Sequence, residues 1–336
     1  MKKKLNRISN IIILIVITAL VLYFSLKDNF NSIINQIITM NIWFILLAFI
    51  FVIIFWLFRS YSMYSFCKTM KKDFKYLQAL QLILRTQFFN AVTPFATGGQ
   101  PFQVIYLKQC GLGYAQSTSV VLQNFIVYQI ALVFLGLVAL FCNKIFHIFN
   151  NVHILQKLIA LGFIINTLVI IVMFIVAFSK KLNKKIIGIS ITVLTKLHLV
   201  KNKEEKLKKW DESISKFHQG AKLLLKDKKQ FILNILYNFL ALCCLYMVPL
   251  FVLYATGNFT AFTAGTAIIT SAYVMLIGSF VPIPGATGGL EYGFMQFYGN
   301  FITGSSLSAI MLIWRFITYY FGMLTGAIAL GIKRVK

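Results

Sequence analysis

The chain has 336 residues, of which 59% are hydrophobic and only 12% charged. Soluble domains carry about 45–50% apolar and roughly 25% charged residues, so a water-soluble globule is excluded and the class is an all-α polytopic membrane protein. The net charge of +25 raises nucleic acid as a partner, but the lysines flank apolar runs or crowd one loop, which points to anionic inner-leaflet lipids instead.

A spanning helix needs about 20 apolar residues. The first run, "IIILIVITALVLYFSL" from Ile11, follows the basic start "MKKKLNR". No small-residue cleavage site comes after it, so it reads as a retained helix over roughly 8–26 rather than a signal peptide. "IWFILLAFIFVIIFWLF" predicts a second helix over roughly 41–58, followed by Arg59, Lys68, Lys71, Lys72 and Lys75. Segment 76–112 then carries "TPFATGGQPFQ" at 93–103, poor material for a membrane helix. Helices are predicted over 114–141 and 155–178, then over 231–255 and 305–332, with a second odd stretch, "PIPGATGGLEYGF", at 282–294.

Cytoplasmic loops are enriched in Lys and Arg. With the N-terminus inside, 28 basic residues fall on the cytoplasmic side, three (Lys27, Lys144, Lys157) fall outside, and Arg85 and Arg315 lie within the membrane. This topology, with both termini cytoplasmic, makes 76–112 a hairpin entering from the cytoplasm and 262–303 a hairpin entering from outside. Six full crossings plus two hairpins is the preferred count; about eight spans is the alternative, if each hairpin crosses fully.

Aligning Pro94 with Pro284 matches five of nine positions at an offset of 190. Chance similarity of two glycine-rich turns is one explanation. The other is an inverted repeat, with residues 1–141 as one unit and 155–332 as the other, the plan of many secondary transporters. Pro94, Pro282, Pro284 and Gly285 would break the helices. Gly98–Gly99 and Gly288–Gly289 would allow close approach or positive φ. Backbone freed in this way must face protein or a water-filled cavity, and a helix restarting there suits an anion.

Glu291 is the one acid that falls within membrane-associated sequence. With Arg85 and Arg315 it is a functional candidate by cost alone. The structural alternatives are an Arg85 that snorkels and an Arg315 that pairs with Glu291. Asn90, Thr93, Thr97 and Gln100 of the first hairpin, Gln123 and Asn124 of the next helix, and Thr287 of the second hairpin are candidate headgroup contacts or else interhelical glue.

Residues 180–230 form a basic loop. Within it Leu207, Trp210, Ile214, Phe217, Ala221 and Leu224 recur at three- and four-residue steps among Lys206, Lys208, Lys209, Lys216 and Lys222. The pattern predicts an amphipathic helix on the inner leaflet or against the ends of the bundle. The five cysteines and four histidines show neither disulfide nor metal-ligand spacing. His147 and His153 share a loop without a carboxylate. No hydrolase, kinase or nucleotide-loop motif occurs. Neither a cofactor, a metal nor a catalytic residue is expected.

"TPFATGGQPFQVIYLKQCGL" followed by "PIPGATGGLE" resembles the lysylphosphatidylglycerol synthase transmembrane family, the membrane portion of the multiple-peptide-resistance factor. Pro282, Pro284, Gly285, Gly288 and Glu291 match its P-x-P-G-x-x-G-x-x-E pattern, and the resemblance covers about 8–332. It implies a flippase-like part that moves aminoacylated phosphatidylglycerol between leaflets of the cell membrane. As read, the chain ends at Lys336 without the relatives' transferase domain, which counts against lysyltransferase activity. The expected function is translocation of an aminoacylated, anionic or glycolipid substrate. The alternatives are a phosphatidylglycerol lysyltransferase, a polyprenyl-linked glycosyltransferase, or a non-transporting partner of a separately encoded synthase. Oligomeric state is not readable.

Overall fold

The computed structural model describes residues 30–149, 153–179, 181, 214–215, 217–222, 226–260, 262–279 and 281–335. The expected first helix (8–26) lies outside the described residues, as does most of 180–230. The described chain has helices and no strand. Five of its helices are long and apolar enough to cross a membrane, and the protein is an all-α multi-pass membrane protein.

In chain order the helices are α1 (Phe30–Ile38), α2 (Ile42–Met70), α3 (Tyr76–Ala91), α4 (Gly99–Gln109), α5 (Tyr114–Phe146), α6 (His153–Phe178), α7 (Lys228–Tyr246), α8 (Val248–Ala255), α9 (Ala264–Gly278), α10 (Gly289–Tyr298), α11 (Gly304–Arg315) and α12 (Phe321–Gly331). Short 3₁₀ turns, Pro94–Ala96 and Pro284–Ala286, join α3 to α4 and α9 to α10. A π turn, Phe316–Tyr320, joins α11 to α12. Polar side chains start several helices: Asn41 accepts from Trp43 N, Asp227 from Gln230 N and Thr263 from Thr266 N, each satisfying a donor the first helical turn leaves open.

The sequence places the end of the second helix near residue 58, whereas α2 runs to Met70. Beyond residue 58 its polar face is buried against α7. Asn238 Nδ2 donates to Ser62 Oγ (2.9 Å), Asn234 Nδ2 to Ser65 Oγ (3.1 Å) and Gln230 Nε2 to Ser65 Oγ (2.8 Å). Hydropathy falls there because the helix meets protein rather than lipid. Arg59 is therefore a residue of the helix interior and not of a cytoplasmic loop.

The two ends of the bundle differ. One is rich in lysine and gathers the end of α2, the start of α3, the end of α4 and residues 333–335. Lys71 Nζ donates to the Cys110 carbonyl (2.8 Å), Tyr106 Oη to Gln81 Oε1 (2.9 Å) and Gln81 Nε2 to the Lys333 carbonyl (2.8 Å). The other gathers the start of α2, the α8–α9 connection and the end of α10. Asn41 N donates to the Ala255 carbonyl (2.7 Å), and the rings of Phe262 and Phe301 are 4.6 Å apart. Each helical pair thus leaves and rejoins the bundle at one end: α3–α4 at the lysine-rich end, α9–α10 at the other. Their turns touch each other in between.

Small residues let the backbones close up. On α12, Gly322 and Gly326 form a small-xxx-small pair; a Cβ on Gly326 would sit 2.6 Å from Phe88 N of α3. On α6, a Cβ on Gly162 would sit 2.2 Å from the Leu276 carbonyl oxygen of α9.

Candidate functional site

The two turns share an unusual backbone. Phe95 (φ 52) and Ala96 (φ 52) in the first correspond to Gly285 (φ 66) and Ala286 (φ 51) in the second. Two successive left-handed residues after a proline reverse the chain within three residues. For non-glycine residues this costs roughly 1–2 kcal/mol each, so the surrounding contacts must over-determine it. Thr93 Oγ1 accepts from Gly98 N (2.9 Å), and Thr97 and Thr287 donate to the Pro94 and Pro284 carbonyls (3.0 and 2.9 Å). Thr93 and Thr97 thus serve the turn itself, while Pro94 and Pro282 are exposed and Pro284 is buried. Gly99 is where a backbone must pass close to a side chain: a Cβ there would lie 2.1 Å from Asn90 Oδ1.

Behind the second turn lies a buried ion pair. Arg315 Nε donates to Glu291 Oε1 at 2.6 Å, with the two side chains 6% and 9% exposed. The other Glu291 oxygen accepts from Gly288 N (2.7 Å) at the start of α10, where a carboxylate also suits the helix dipole. Arg315 Nη2 reaches the Gly285 carbonyl (3.0 Å) and Thr287 Oγ1 (3.4 Å), and the guanidinium lies over the Tyr319 ring at 4.8 Å. One arginine therefore ties α11 to the turn and to α10. In this arrangement the pair answers its own charges, as the structural alternative for Arg315 anticipates.

Arg85 is elsewhere. Its Nε and Nη2 donate to the carbonyls of Ala329 (2.9 Å) and Ile332 (2.6 Å), and it lies over the Tyr106 ring at 5.3 Å. A cation on the last carbonyls of α12 satisfies open acceptors and the dipole together. Arg85 is a cap near the lysine-rich end and does not join Arg315.

A polar cavity of about 50 Å³ lies between α2, α3, α4 and α5. Asn90 and Thr86 of α3, Gln100 and Gln103 of α4, Asn124 of α5 and Arg59 of α2 line it. Asn124 Oδ1 accepts from Ser62 Oγ (3.0 Å). Gln123, next in sequence and 1% exposed, does not line the cavity, and among the described residues its amide has no partner. Sites that enclose small molecules usually exceed about 300 Å³, so a whole headgroup enters only if the turns part.

Arg59 is the site residue that sequence reading missed. It looks like one more flanking base, and only the packing of α2 on α5 and α7 shows where it points. The signal available was its spacing: Arg59, Ser62 and Thr69 with Ser65 and Phe66 recur at helical steps past the nominal end of the helix.

Of the basic loop, Lys208, Lys209 and Trp210 lie outside the described residues. Residues 217–222 are helical, Phe217 is half-buried, and Ile214, His218 and Ala221 are buried. Gly220 faces Ser119 of α5 and Met70 of α2, so this stretch packs on the end of the bundle. Among the described residues no group of His, Cys, Asp and Glu could hold a metal.

Residues 11–326 match the family described as lysylphosphatidylglycerol synthase TM region. The chain is also similar to a UPF0104 membrane protein of Archaeoglobus fulgidus, at 22% identity over 355 aligned positions covering 97% of this chain and 96% of that protein. The chain belongs to the lysylphosphatidylglycerol synthase TM family.

Proposed function

We propose that this family member is a flippase-like lipid translocase of the cell membrane, with both termini cytoplasmic and an aminoacylated phospholipid, or a related anionic lipid or glycolipid, as substrate. The observation that carries it is the meeting of two alike turns, reached from opposite ends of the bundle, in front of a buried Arg315–Glu291 pair. The two units then act as inverted repeats. Parting of the turns opens a path from the cavity toward one end, and their closure blocks it.

The pair supplies the headgroup chemistry. A buried ion pair is desolvated at a cost of several kcal/mol per ion and holds only while each charge has a partner. A headgroup with a phosphate and an ammonium offers both partners at once. Arg315 exchanges Glu291 for the phosphate, and Glu291 exchanges Arg315 for the ammonium or carries a coupling proton. The tails stay in lipid throughout. Anionic inner-leaflet lipids meet the lysine-rich end, and a separately encoded synthase would deliver the substrate.

The test is the outer-leaflet fraction of labelled aminoacyl lipid in cells expressing Glu291→Gln or Arg315→Ala at normal levels. Translocation is expected to drop sharply in both. Unchanged flipping with normal expression rejects the assignment.

A further inference from the structure

We infer that Arg59 is an anion-binding residue, and that the cavity beside it receives a phosphate group. This rests on the translocase reading for its source, a lipid phosphodiester, but its chemistry stands on the geometry alone.

Among the described residues Arg59 has no counter-charge. Its Nη1 donates to Asn238 Oδ1, and its guanidinium lies 4.2 Å from the centre of the Tyr128 ring. Both partners are neutral. The described carboxylates are engaged elsewhere: Asp73 with Lys71 (3.5 Å), Asp227 at the start of α7 and Glu291 with Arg315. A guanidinium has five donors in a fork that matches phosphate, and Arg59 lines the cavity, where none of the described carboxylates meets it.

The two units differ at this point. The offset of 190 that superposes the turns places Arg315 on Phe125 and Glu291 on Pro101. The second unit carries both halves of an ion pair behind its turn. The first carries neither, has a cavity there that Phe125 lines, and turns Arg59 toward it from α2. The second unit's cation has an internal partner, whereas the first unit's cation has room for an external one.

The walls suit a phosphate attached to a hydroxyl-bearing group. Asn124 spends its Oδ1 on Ser62 and keeps its amide N–H donors. Asn90 Oδ1 is buried without a donor among the described residues, an acceptor that a ligand hydroxyl would satisfy. The cavity's 50 Å³ takes a single small group rather than a whole headgroup.

The purified chain in neutral detergent tests this without any transport step. Its thermal unfolding is followed while inorganic phosphate or short-chain phosphatidylglycerol is titrated, with a neutral short-chain diacylglycerol as control. The wild type is expected to be stabilised by a phosphate-bearing probe and not by diacylglycerol. A response to inorganic phosphate supports the site as a phosphate site generally; a response to the lipid alone supports it as a headgroup site. Arg59→Gln is expected to raise the apparent Kd by about tenfold or more, the scale of a charge-assisted hydrogen bond. Should Arg59→Gln not fold, Gln100→Phe, which plugs the cavity without breaking a described bond, is expected to weaken the response likewise. No stabilisation of the wild type, or an equal shift in the folded variants, overturns the proposal. Normal phosphate binding together with unchanged flipping in the Glu291 and Arg315 variants leaves this site standing and removes only the translocase reading.

Discussion

The hydroxyl of Tyr319 donates to the carbonyl oxygen of Ala91 at 3.0 Å, joining the π turn after Arg315 to the last residue of α3. The same ring closes over Gly285: a Cβ there would lie 2.3 Å from Tyr319 Cε2. One side chain thus holds the end of the first hairpin helix and the turn of the second. Any movement that parts the turns must release it.

Gly285→Ala is therefore expected to lower the melting temperature by two additive routes, the clash with the ring and a left-handed backbone (φ 66) that alanine tolerates poorly. Added to Tyr319→Ala, which removes the clashing ring, Gly285→Ala should cost only the backbone part, about 1 kcal/mol relative to Tyr319→Ala alone. Tyr319→Phe alone removes one hydrogen bond and should cost about 1 kcal/mol. Thermal unfolding in detergent reads all three; a Gly285→Ala protein as stable as wild type contradicts the packing.

Breaking the buried pair from one side should be costly. Arg315→Met leaves Glu291 buried and is expected to destabilise by about 3–5 kcal/mol, whereas Arg315→Met with Glu291→Leu should regain most of that. Lipid translocation should remain lost in the double variant. A double variant no more stable than Arg315→Met alone would falsify the uncompensated-charge explanation.

Arg85 separates stability from transport. Its guanidinium holds the Ala329 and Ile332 carbonyls, so Arg85→Gln is expected to cost about 1.5–3 kcal/mol, the value of hydrogen bonds to a charged group. Translocation per folded molecule should be unchanged. A folded Arg85→Gln protein that no longer moves lipid would place Arg85 on the substrate path after all.

Orientation is open to thiol labelling. In a chain freed of its native cysteines, Lys72→Cys and Phe259→Cys mark the two ends of the bundle. A membrane-impermeant maleimide added to intact cells should label the Phe259 position only, while Lys72 requires lysis. The reverse pattern inverts the topology and with it the assignment of the lysine-rich end to the cytoplasm.

Much of this fold is legible in the residues. Runs such as Ile42–Phe58 and Phe125–Phe141 must be membrane helices, since nothing in water hides so much apolar surface. Pro94 and Pro284, each followed by an Ala-Thr-Gly-Gly run one residue on, mark helix breaks because the ring removes a donor and blocks the helical backbone. The end of α2 was not legible: beyond Arg59 the helix trades lipid for the polar face of α7, and hydropathy reads that trade as an exit from the membrane. For the same reason Arg59 passes as a flanking base.

The class, the family, the spans that are apolar throughout and the two breaks can be read from the residues alone, because these follow from composition and local backbone chemistry. Which charges meet depends on the packing of the helices. Glu291 and Arg315 are 24 residues apart and bond directly, Arg85 finds carbonyls 244 and 247 residues away, and Arg59 finds Asn238 across 179 residues. A cation's role depends on whether an acid, a carbonyl or a cavity lies within a few ångströms of it, and that neighbour is set by helix packing rather than by position along the chain.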